Sequence, residues 1–261
     1  FLLKKDMTSF DIVRSLRLNV PVQVAFNNQE TLDKLFQRLA TQLEPDTLAL
    51  NEAFTNEAFF QENGLTKETA LTLFIPNTYE FYWNTSASKI ASKMAKEHKK
   101  FWTNERLEKA KALNMTPAQV YTLASIVHKE TVKADERPRV AGAYLNRINQ
   151  DMPLQADPTV IYAIKEKSGD FDQVIKRVGG SNLFVSSPYN TYINKGLPPG
   201  PIAMPDISAI DAVLNAEKHN YIYFCADPSR PGYHSFETTY EAHLVNAKKY
   251  ADWVNKLGIK L

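Results

Sequence analysis

The sequence predicts an α+β fold in which a small strand–helix–helix–strand unit is joined to a larger, mainly helical domain with a short β hairpin or small sheet. Residues 20–26 alternate in polarity and include three valines, which is typical of a half-buried strand. Residues 31–43 instead place leucine and phenylalanine at helical spacing. Most of the remaining chain keeps the helical period, and residues 221–236 indicate a hairpin. The predicted domains are 1–74 and 75–261.

In the N-terminal region, the elements follow from short apolar patterns bounded by turn residues. The predicted strands are at residues 1–3, 20–26 and 71–74. The predicted helices are at residues 9–18, 31–43, 47–54 and 56–61. The strand at 20–26, the helices after it and the returning strand at 71–74 are expected to form one compact unit.

In the larger domain, proline and asparagine interrupt the pattern, so residues 75–82 are predicted to be a boundary segment. The predicted helices after it are at 85–113, at 116–130, after Asp135, after Asp157-Pro158, at 206–216 and at 239–257. Residues 186–202 contain four prolines and two glycines. They are predicted to be a loop with a functional role, because long ordered loops are seldom idle. Strands are predicted at 221–226 and 233–236.

Composition excludes several classes of function. The chain has 261 residues, of which 44% are hydrophobic, as is usual for a globular protein. The 31 basic and 29 acidic residues give a net charge of +2, which is no argument for a nucleic acid partner. Because Cys225 is the only cysteine, no intrachain disulfide can form. No apolar run is long enough to span a bilayer. The five histidines show no ligand spacing, so we expect neither a metal nor another cofactor.

The segment 116–130, TPAQVYTLASIVHKE, is the best candidate for chemistry. Thr116, Pro117 and Gln119 together are typical of a helix start. Glu130 lies at the edge of the apolar face of this helix, and its neighbours one and two turns back are aliphatic: Leu123, Ile126 and Val127. Such neighbours remove water, which raises the pKa of a carboxyl and suits it to general acid catalysis. The alternative is a solvated surface glutamate.

Other catalytic arrangements have no support in the sequence. The nucleophile elbow G-x-S-x-G and the phosphate-binding loops G-x-x-x-x-G-K-[ST] and G-x-G-x-x-G are absent. Glycoside hydrolysis ordinarily uses two carboxylates. However, Asp157 precedes Pro158 and Asp135 precedes a helix, so both are predicted to be caps. One acid, Glu130, is sufficient when the substrate supplies its own nucleophile.

Six motifs occur in order along the chain. They are ASIVHKET (124–131), ERP (136–138), LNRI (145–148), LQADPTVIYAI (154–164), PYNTYINKGLPPGPI (188–202) and YFCAD with YHSF (223–236). Together they resemble the YceG-like family of endolytic murein transglycosylases over about residues 74–250. Residues 20–74 are similar to the LysM-like subdomain of that family by pattern alone.

The resemblance implies an endolytic peptidoglycan lytic transglycosylase. In the family, the catalytic glutamate lies in the segment ASIVxKE, which corresponds to Glu130. The implied reaction cleaves the bond between N-acetylmuramic acid and N-acetylglucosamine in nascent glycan strands and leaves 1,6-anhydromuramoyl ends. Glu130 acts first as acid and then as base. The family often has a second glutamate where this sequence has His128, which supports Glu130 as the essential acid but leaves open how its pKa is set.

The loop motifs give predicted contacts to the glycan. Gln155 and Asn190 are predicted to bond sugar acetamide groups, and Tyr189 and Tyr192 to stack on sugar rings. For Gln155 the alternative is a hydrogen bond to the loop backbone. For the two tyrosines the alternative is packing in the core.

Four further residues are predicted in the site, each with a structural alternative. Thr131 either orients Glu130 or ends the helix. Arg147 either anchors a loop through a bidentate bond or lies at the surface. Asp157 contacts substrate in addition to its role as a cap. His234 either contacts substrate or is a surface residue of the hairpin.

The expected partners are peptidoglycan glycan strands and the penicillin-binding peptidoglycan synthases. A single membrane-spanning anchor is expected upstream of these residues. It would place the protein at the extracytoplasmic face of the bacterial cytoplasmic membrane. Two other functions stay open at this point: a hydrolytic muramidase, and a non-catalytic peptidoglycan-binding module.

Overall fold

The structure, a computed structural model, describes residues 3–17, 20–175 and 178–256. The chain folds into two compact units, Phe1–Phe101 and Trp102–Leu261. The described residues form helices and two antiparallel two-stranded sheets, which confirms the predicted α+β class. Among these residues, no helix combines the length and hydropathy needed to cross a membrane.

Some predictions concern residues outside the described ranges. The predicted strand at 1–3 begins there, and the helices predicted at 9–18 and 239–257 each end there. Within the described ranges these helices are confirmed as Ser9–Arg17 and Tyr240–Lys256. The predicted domain boundary and the LysM-like assignment stay predictions.

The N-terminal unit contains one two-stranded sheet and several helices. In chain order, its elements are α1 (Ser9–Arg17), β1 (Pro21–Phe26), α2 (Leu32–Ala40), α3 (Thr47–Thr55), α4 (Glu57–Asn63), β2 (Asn77–Tyr82) and α5 (Ala87–Phe101). β1 and β2 pair antiparallel, with Phe26 opposite Asn77. Side chains of Thr31 and Asp46 cap α2 and α3, as the sequence pattern favours.

The strand that closes this unit lies later in the chain than predicted. Residues 71–74 are not a strand, because Ala70–Leu73 form a turn of 3-10 helix whose four side chains are buried. The returning strand is β2, inside the segment predicted to be a boundary. A short apolar run suits a buried turn as well as a strand. In contrast, β2 follows Pro76 directly and fully buries only Phe81, so its pattern is weak.

An aromatic cluster forms the centre of the N-terminal core. Phe26, Phe36, Phe54 and Phe74 pack with ring centroids between 4.9 and 6.4 Å apart. None of the four is more than 4% exposed. Because these residues come from β1, α2, α3 and the end of the 3-10 turn, the cluster joins the elements of the unit.

The C-terminal unit is mainly helical. Its elements are α6 (Asn104–Ala112), α7 (Pro117–Glu130), α8 (Arg137–Asn149), α9 (Asp157–Ser168), α10 (Ile207–Leu214), β3 (Tyr223–Ala226), β4 (His234–Glu237) and α11 (Tyr240–Lys256). The single helix predicted at 85–113 is wrong, because α5 and α6 are separate. The chain is extended at Thr103, whose hydroxyl caps α6 by accepting from the Arg106 amide at 3.4 Å.

Helix α7 is the central element of this unit. Residues 120–127 are buried without interruption, and α6, α8, α9 and α10 contact the helix. The sequence predicted one apolar face, whereas the helix is buried on all sides over this stretch. Small and hydroxyl side chains such as Ala124 and Ser125 allow the neighbouring helices to approach its remaining faces.

Hydrogen bonds attach the long loop at 186–202 to the helices. The buried Ser125 hydroxyl accepts from the Ile202 amide at 3.1 Å. The Gln155 amide donates to the Thr191 carbonyl at 3.0 Å. The predicted loop is therefore confirmed, and it is joined both to α7 and to the segment that leads into α9.

The predicted hairpin is confirmed. β3 and β4 pair antiparallel, with Tyr223 opposite Glu237 and Ala226 opposite His234. Helix α11 packs on both strands. The hairpin therefore presents His234, the first residue of β4, from a supported sheet rather than from a free loop.

Candidate active site

Glu130 is the last residue of α7, as predicted. The helix begins with a capping box, in which Thr116 accepts from the Gln119 amide at 3.2 Å and Gln119 accepts from the Thr116 amide at 2.8 Å. It ends because Thr131 has an extended backbone, with φ −138° and ψ 135°. A buried helix with fixed ends holds the carboxyl in one place, which a catalytic group requires.

The Glu130 carboxyl is partly buried and accepts a hydrogen bond from α8. The Tyr144 hydroxyl donates to its Oε1 atom at 2.7 Å. Within the described residues, no guanidinium or ammonium forms an ion pair with this carboxyl. Burial raises the pKa of Glu130 to about 7, although the hydrogen bond from Tyr144 acts in the opposite direction. At neutral pH the carboxyl is therefore divided between its protonated and ionised forms.

Side chains from four segments act electrostatically on Glu130 and Tyr144. They are Arg147 from α8, Asp157 from α9, Tyr192 from the long loop and His234 from β4. The charges of His234 and Arg147 lower the pKa of Glu130, and that of Asp157 raises it. All four residues are predicted site residues that the fold brings close to the carboxyl. Their contact with a substrate stays a prediction.

Arg147 is buried, so the predicted surface position is wrong, and it anchors two segments through separate bonds instead of one loop through a bidentate bond. Its Nε atom donates to the Ile222 carbonyl at 2.6 Å, and its Nη1 atom donates to the Leu154 carbonyl at 2.6 Å. The guanidinium also lies 5.6 Å from the ring centroid of Tyr223. Arg147 therefore joins the segment before α9 and the segment before β3 to α8, beside Glu130.

The prediction that Asp157 caps α9 is wrong. It is already the first residue of the helix, and the N-cap is Ala156, which has no capping side chain. The Asp157 carboxylate is exposed and accepts instead from the Tyr192 hydroxyl at 2.5 Å. Burial and this carboxylate raise the pKa of Tyr192 well above its usual range. The Asp157 carboxylate thus bonds the Tyr192 hydroxyl of the loop instead of capping α9, and the Tyr192 hydroxyl stays protonated.

Gln155 has an unusual backbone conformation next to these residues. Its φ of 49° lies in the left-handed region, which is uncommon for residues other than glycine and is often found at functional sites. The hydrogen bond from its amide to Thr191 holds this conformation. Its side chain is exposed, two residues before Asp157. Its predicted contact with a sugar acetamide stays a prediction.

Asn190 and Tyr189 contact other parts of the protein: the Asn190 amide bonds the loop backbone, and the Tyr189 ring packs against another ring. Asn190 is fully buried, and its amide donates to the Leu183 and Val185 carbonyls at 3.0 and 2.9 Å. The Tyr189 ring is 5% exposed and packs against Tyr162 at 4.6 Å between centroids. In this conformation, neither side chain presents the amide or ring face that their predicted sugar contacts require.

Thr131 and His234 are joined through Glu136, which forms hydrogen bonds with both residues. The buried Thr131 hydroxyl accepts from the Lys133 amide at 3.1 Å, and Thr131 ends α7. Glu136 accepts from the His234 amide at 2.7 Å and contacts its Nδ1 atom at 2.8 Å. The bonds from His234 and Thr131 lower the pKa of Glu136, against its burial. Glu136 therefore fixes the hairpin beside Glu130.

The predicted cap of α8 is also wrong. Asp135 does not cap this helix, whose N-cap is Glu136 without a capping side-chain bond. Asp135 accepts instead from the Tyr233 hydroxyl at 3.0 Å. Asp135 and Glu136 therefore both bond the hairpin. The donors are the Tyr233 hydroxyl and the amide of His234, the first residue of β4.

His128 lies away from Glu130, since two residues correspond to roughly 200° around a helix. Its Nδ1 atom is 3.3 Å from Asp206 Oδ2, and the same oxygen is 3.2 Å from Arg137 Nη1. Burial lowers the pKa of His128. His128 therefore belongs to a cluster at the start of α10 and is not among the groups named above as shifting the pKa of Glu130.

The sequence did not identify Tyr144 and Glu136 as site residues. The helical pattern places Tyr144 on the apolar face of α8 with Val140 and Ile148. A signal was present, because a tyrosine within an aliphatic stripe needs a partner for its hydroxyl when it is buried. No comparable signal marked Glu136, since its partner is 98 positions later in the chain.

Comparisons with known proteins identify the family of this chain. A family model described as the YceG-like family matches residues 1–249. An endolytic murein transglycosylase of Bacillus subtilis (strain 168) is 32% identical over 213 residues, which are 81% of this chain and 54% of that protein. The same name is given to a Streptococcus pneumoniae protein (strain D39) that is 39% identical over 117 residues, 45% of this chain and 21% of that protein.

A solved structure supports the same relationship. The crystal structure of a yceG-like protein of Listeria monocytogenes has a TM-score of 0.72 at 28% identity, covering 93% of this chain and 82% of that one. The chain spans about half the length of the Bacillus subtilis relative. Since the family model covers nearly the whole sequence, the chain belongs to the YceG-like family.

Proposed function

We propose that this protein is an endolytic peptidoglycan lytic transglycosylase with Glu130 as its acid and base. The observation that carries the proposal is a carboxyl at the end of a rigid buried helix, with a pKa raised to about 7 by burial. The names of the Bacillus and Streptococcus relatives supply the substrate class and the kind of reaction.

In the first step, protonated Glu130 donates its proton to the glycosidic oxygen between N-acetylmuramic acid and N-acetylglucosamine. The bond from the muramoyl C1 atom to that oxygen breaks, and positive charge develops at C1. A carboxyl with a pKa near the working pH suits this step, because it holds the proton yet releases it readily. Asp157 acts electrostatically on Glu130, and a negative charge at this position would also stabilise the positive charge that develops at C1.

In the second step, ionised Glu130 removes the proton from the muramoyl C6 hydroxyl. The C6 oxygen bonds to C1, which closes the 1,6-anhydro ring and restores protonated Glu130. No water is consumed, so the reaction needs no second carboxylate to activate water. Substrate contacts are proposed for Gln155, two residues before Asp157, and for Tyr192, whose hydroxyl donates to the Asp157 carboxylate.

The chemistry of the chain ends tests the reaction. Glycan strands digested with the protein should end in anhydromuramoyl residues, each lighter by one water than a reducing end. We expect mass spectrometry of the digest, before and after borohydride reduction, to show ends that do not take up hydrogen. Reducible ends would instead identify a hydrolytic muramidase, and intact strands that remain bound would identify a binding module.

The rate should depend on pH in one direction near neutrality. Because the acid must be protonated when it donates to the glycosidic oxygen and its pKa is raised to about 7, kcat/KM should fall as pH rises through about 7. The expected decline is roughly tenfold per pH unit above that value. A profile measured on one strand preparation between pH 5 and 9 checks this, and a rate that increases above pH 7 would contradict it.

The proposed place of action is outside the cytoplasm, because peptidoglycan lies there. Peptidoglycan synthases of the penicillin-binding class are the proposed partners. Both proposals follow from the substrate class that the relatives' names supply.

A further inference from the structure

Tyr144 is a core tyrosine whose hydroxyl contacts the Glu130 carboxyl. Tyr144 is 1% exposed, and its ring packs edge to face against Phe224 at 5.5 Å between centroids. The hydroxyl ends at Glu130 Oε1, at 2.7 Å. The ring thus fills the core between α8 and β3, while its polar tip contacts the proposed acid.

This hydroxyl makes one hydrogen bond within the part of the chain that the structure describes, and its acceptor is Glu130 Oε1. Burial and the neighbouring Glu130 charge raise the pKa of Tyr144 well above its usual range, so the hydroxyl keeps its proton. It therefore stays a donor whether Glu130 is protonated or ionised.

A donor fixed on one oxygen makes the two oxygens of the carboxyl inequivalent. If the Glu130 proton were on Oε1, that atom would be the hydroxyl oxygen of the acid, which is a weaker acceptor than the carbonyl oxygen. The buried hydrogen bond from Tyr144 is therefore stronger when Oε1 carries no proton. The proton is therefore directed to Oε2.

Resting on the proposed function, we propose that Tyr144 is a positioning residue that reserves Oε1 of Glu130 and leaves Oε2 as the oxygen that exchanges the proton with the glycan. In the first step, the Oε2 proton moves to the glycosidic oxygen as the bond to C1 breaks. In the second step, the C6 hydroxyl proton moves to Oε2 as the C6 oxygen bonds to C1. Oε1 keeps the bond from Tyr144 throughout.

The effect of removing the hydroxyl can be separated from the other groups around Glu130. Besides Tyr144, these groups are Arg147 from α8, Asp157 from α9, Tyr192 from the loop and His234 from β4. Tyr144 stabilises the ionised carboxylate, so its loss should raise the pKa of Glu130. Asp157 has the opposite effect, so Asp157→Asn should lower that pKa.

The test is Tyr144→Phe, which keeps the ring and removes only the hydroxyl. We expect kcat to fall roughly tenfold to a hundredfold, as for the loss of one hydrogen bond to a charged group, with little change in KM. The decline of kcat/KM with pH should move to higher pH, whereas in Asp157→Asn it should move to lower pH. Titration of the Glu130 carboxyl by carbon-13 NMR should show the same two shifts without any substrate.

A matched control is Tyr121→Phe, which removes a hydroxyl from an equally buried tyrosine in α7. Tyr121 lies nine residues before Glu130, roughly 13 Å along the helix axis. This variant should leave the pH profile of kcat/KM and the NMR titration of Glu130 unchanged. A purely structural role for Tyr144 would lower the thermal stability without moving either pH-dependent curve.

Two kinds of failure can be distinguished. If wild type forms anhydro ends and Glu130→Gln does not, but Tyr144→Phe keeps the wild-type kcat and titration, the inference about Tyr144 is wrong and the proposed function stands. If wild type forms no anhydro ends, the proposed function is wrong, and if Glu130→Gln is as active as wild type, the role of Glu130 in it is wrong. In both cases the NMR titration still shows whether Tyr144 acts on the carboxyl.

Discussion

Glu130→Gln is expected to reduce the rate of anhydro-end formation by roughly 10²–10⁴-fold, the usual contribution of a general acid–base group. Glutamine has nearly the same shape, and its carbonyl oxygen can still accept from the Tyr144 hydroxyl. It has no acidic proton for the glycosidic oxygen and no charge to accept one from the C6 hydroxyl. Both proposed steps are therefore lost, while binding of the strands should persist. Timed digests of defined strands, with a separate sedimentation assay for binding, measure the two effects.

The same substitution is expected to stabilise the fold at neutral and alkaline pH. The pKa of Glu130 is raised from 4.5 to about 7 in the folded state, so the folded state binds the proton more tightly than the unfolded chain. The stability of wild type should then fall as pH rises from about 4.5 to about 7. Since glutamine never ionises, the variant should gain up to about 3 kcal/mol in unfolding free energy above pH 7. Urea unfolding at pH 5 and pH 8 measures this difference.

Glu108→Gln is the matched control, because Glu108 is an exposed glutamate of α6 in the same unit. It should retain both the activity and the pH dependence of stability of wild type. An active Glu130→Gln protein would remove this residue from the mechanism. An inactive variant that is also less stable than wild type at pH 8 would show that the loss arises from misfolding instead of lost chemistry.

The position and surroundings of Glu130 could be predicted from the sequence because their determinants are local. The capping box of α7 involves residues three apart, and Glu130 follows from the same helical spacing. The raised pKa of Glu130 also agrees with its aliphatic neighbours one and two turns back. Local pattern and fold agree here, since α7 is central and its neighbours cover every side of it over residues 120–127.

The remainder of the site depends on partners distant in sequence, which spacing cannot supply. Asp157 has the local signature of a cap but bonds Tyr192, 35 positions later. Asp135 likewise bonds Tyr233, 98 positions later. Asn190 carries a polar amide suited to a sugar, yet the loop backbone uses it. In each case, a hydrogen bond formed on folding gave the residue a partner that the sequence had not predicted.

Arg147→Met is expected to destabilise the protein by about 3 kcal/mol or more, because Arg147 is buried and its removal leaves buried carbonyls without donors. Its guanidinium donates to the Ile222 and Leu154 carbonyls, each at 2.6 Å, and contacts the Pro153 carbonyl at 3.5 Å. Methionine replaces the aliphatic stem but none of these bonds. At roughly 2–4 °C per kcal/mol for a chain of this size, the melting temperature should fall by roughly 6–12 °C.

Arg139→Met provides the comparison on the same helix. Arg139 is 42% exposed at its side chain and pairs with Glu217 at 3.0 Å, and exposed pairs of this kind contribute roughly 0–1 kcal/mol. Thermal unfolding of both variants should therefore separate them clearly. Equal melting temperatures would mean that Arg147 does not anchor the segments before α9 and β3. The segment at Leu154 leads into α9 and Asp157, and the segment at Ile222 leads into the hairpin that carries His234. A large difference would mean that one buried guanidinium stabilises the attachment of both segments to α8.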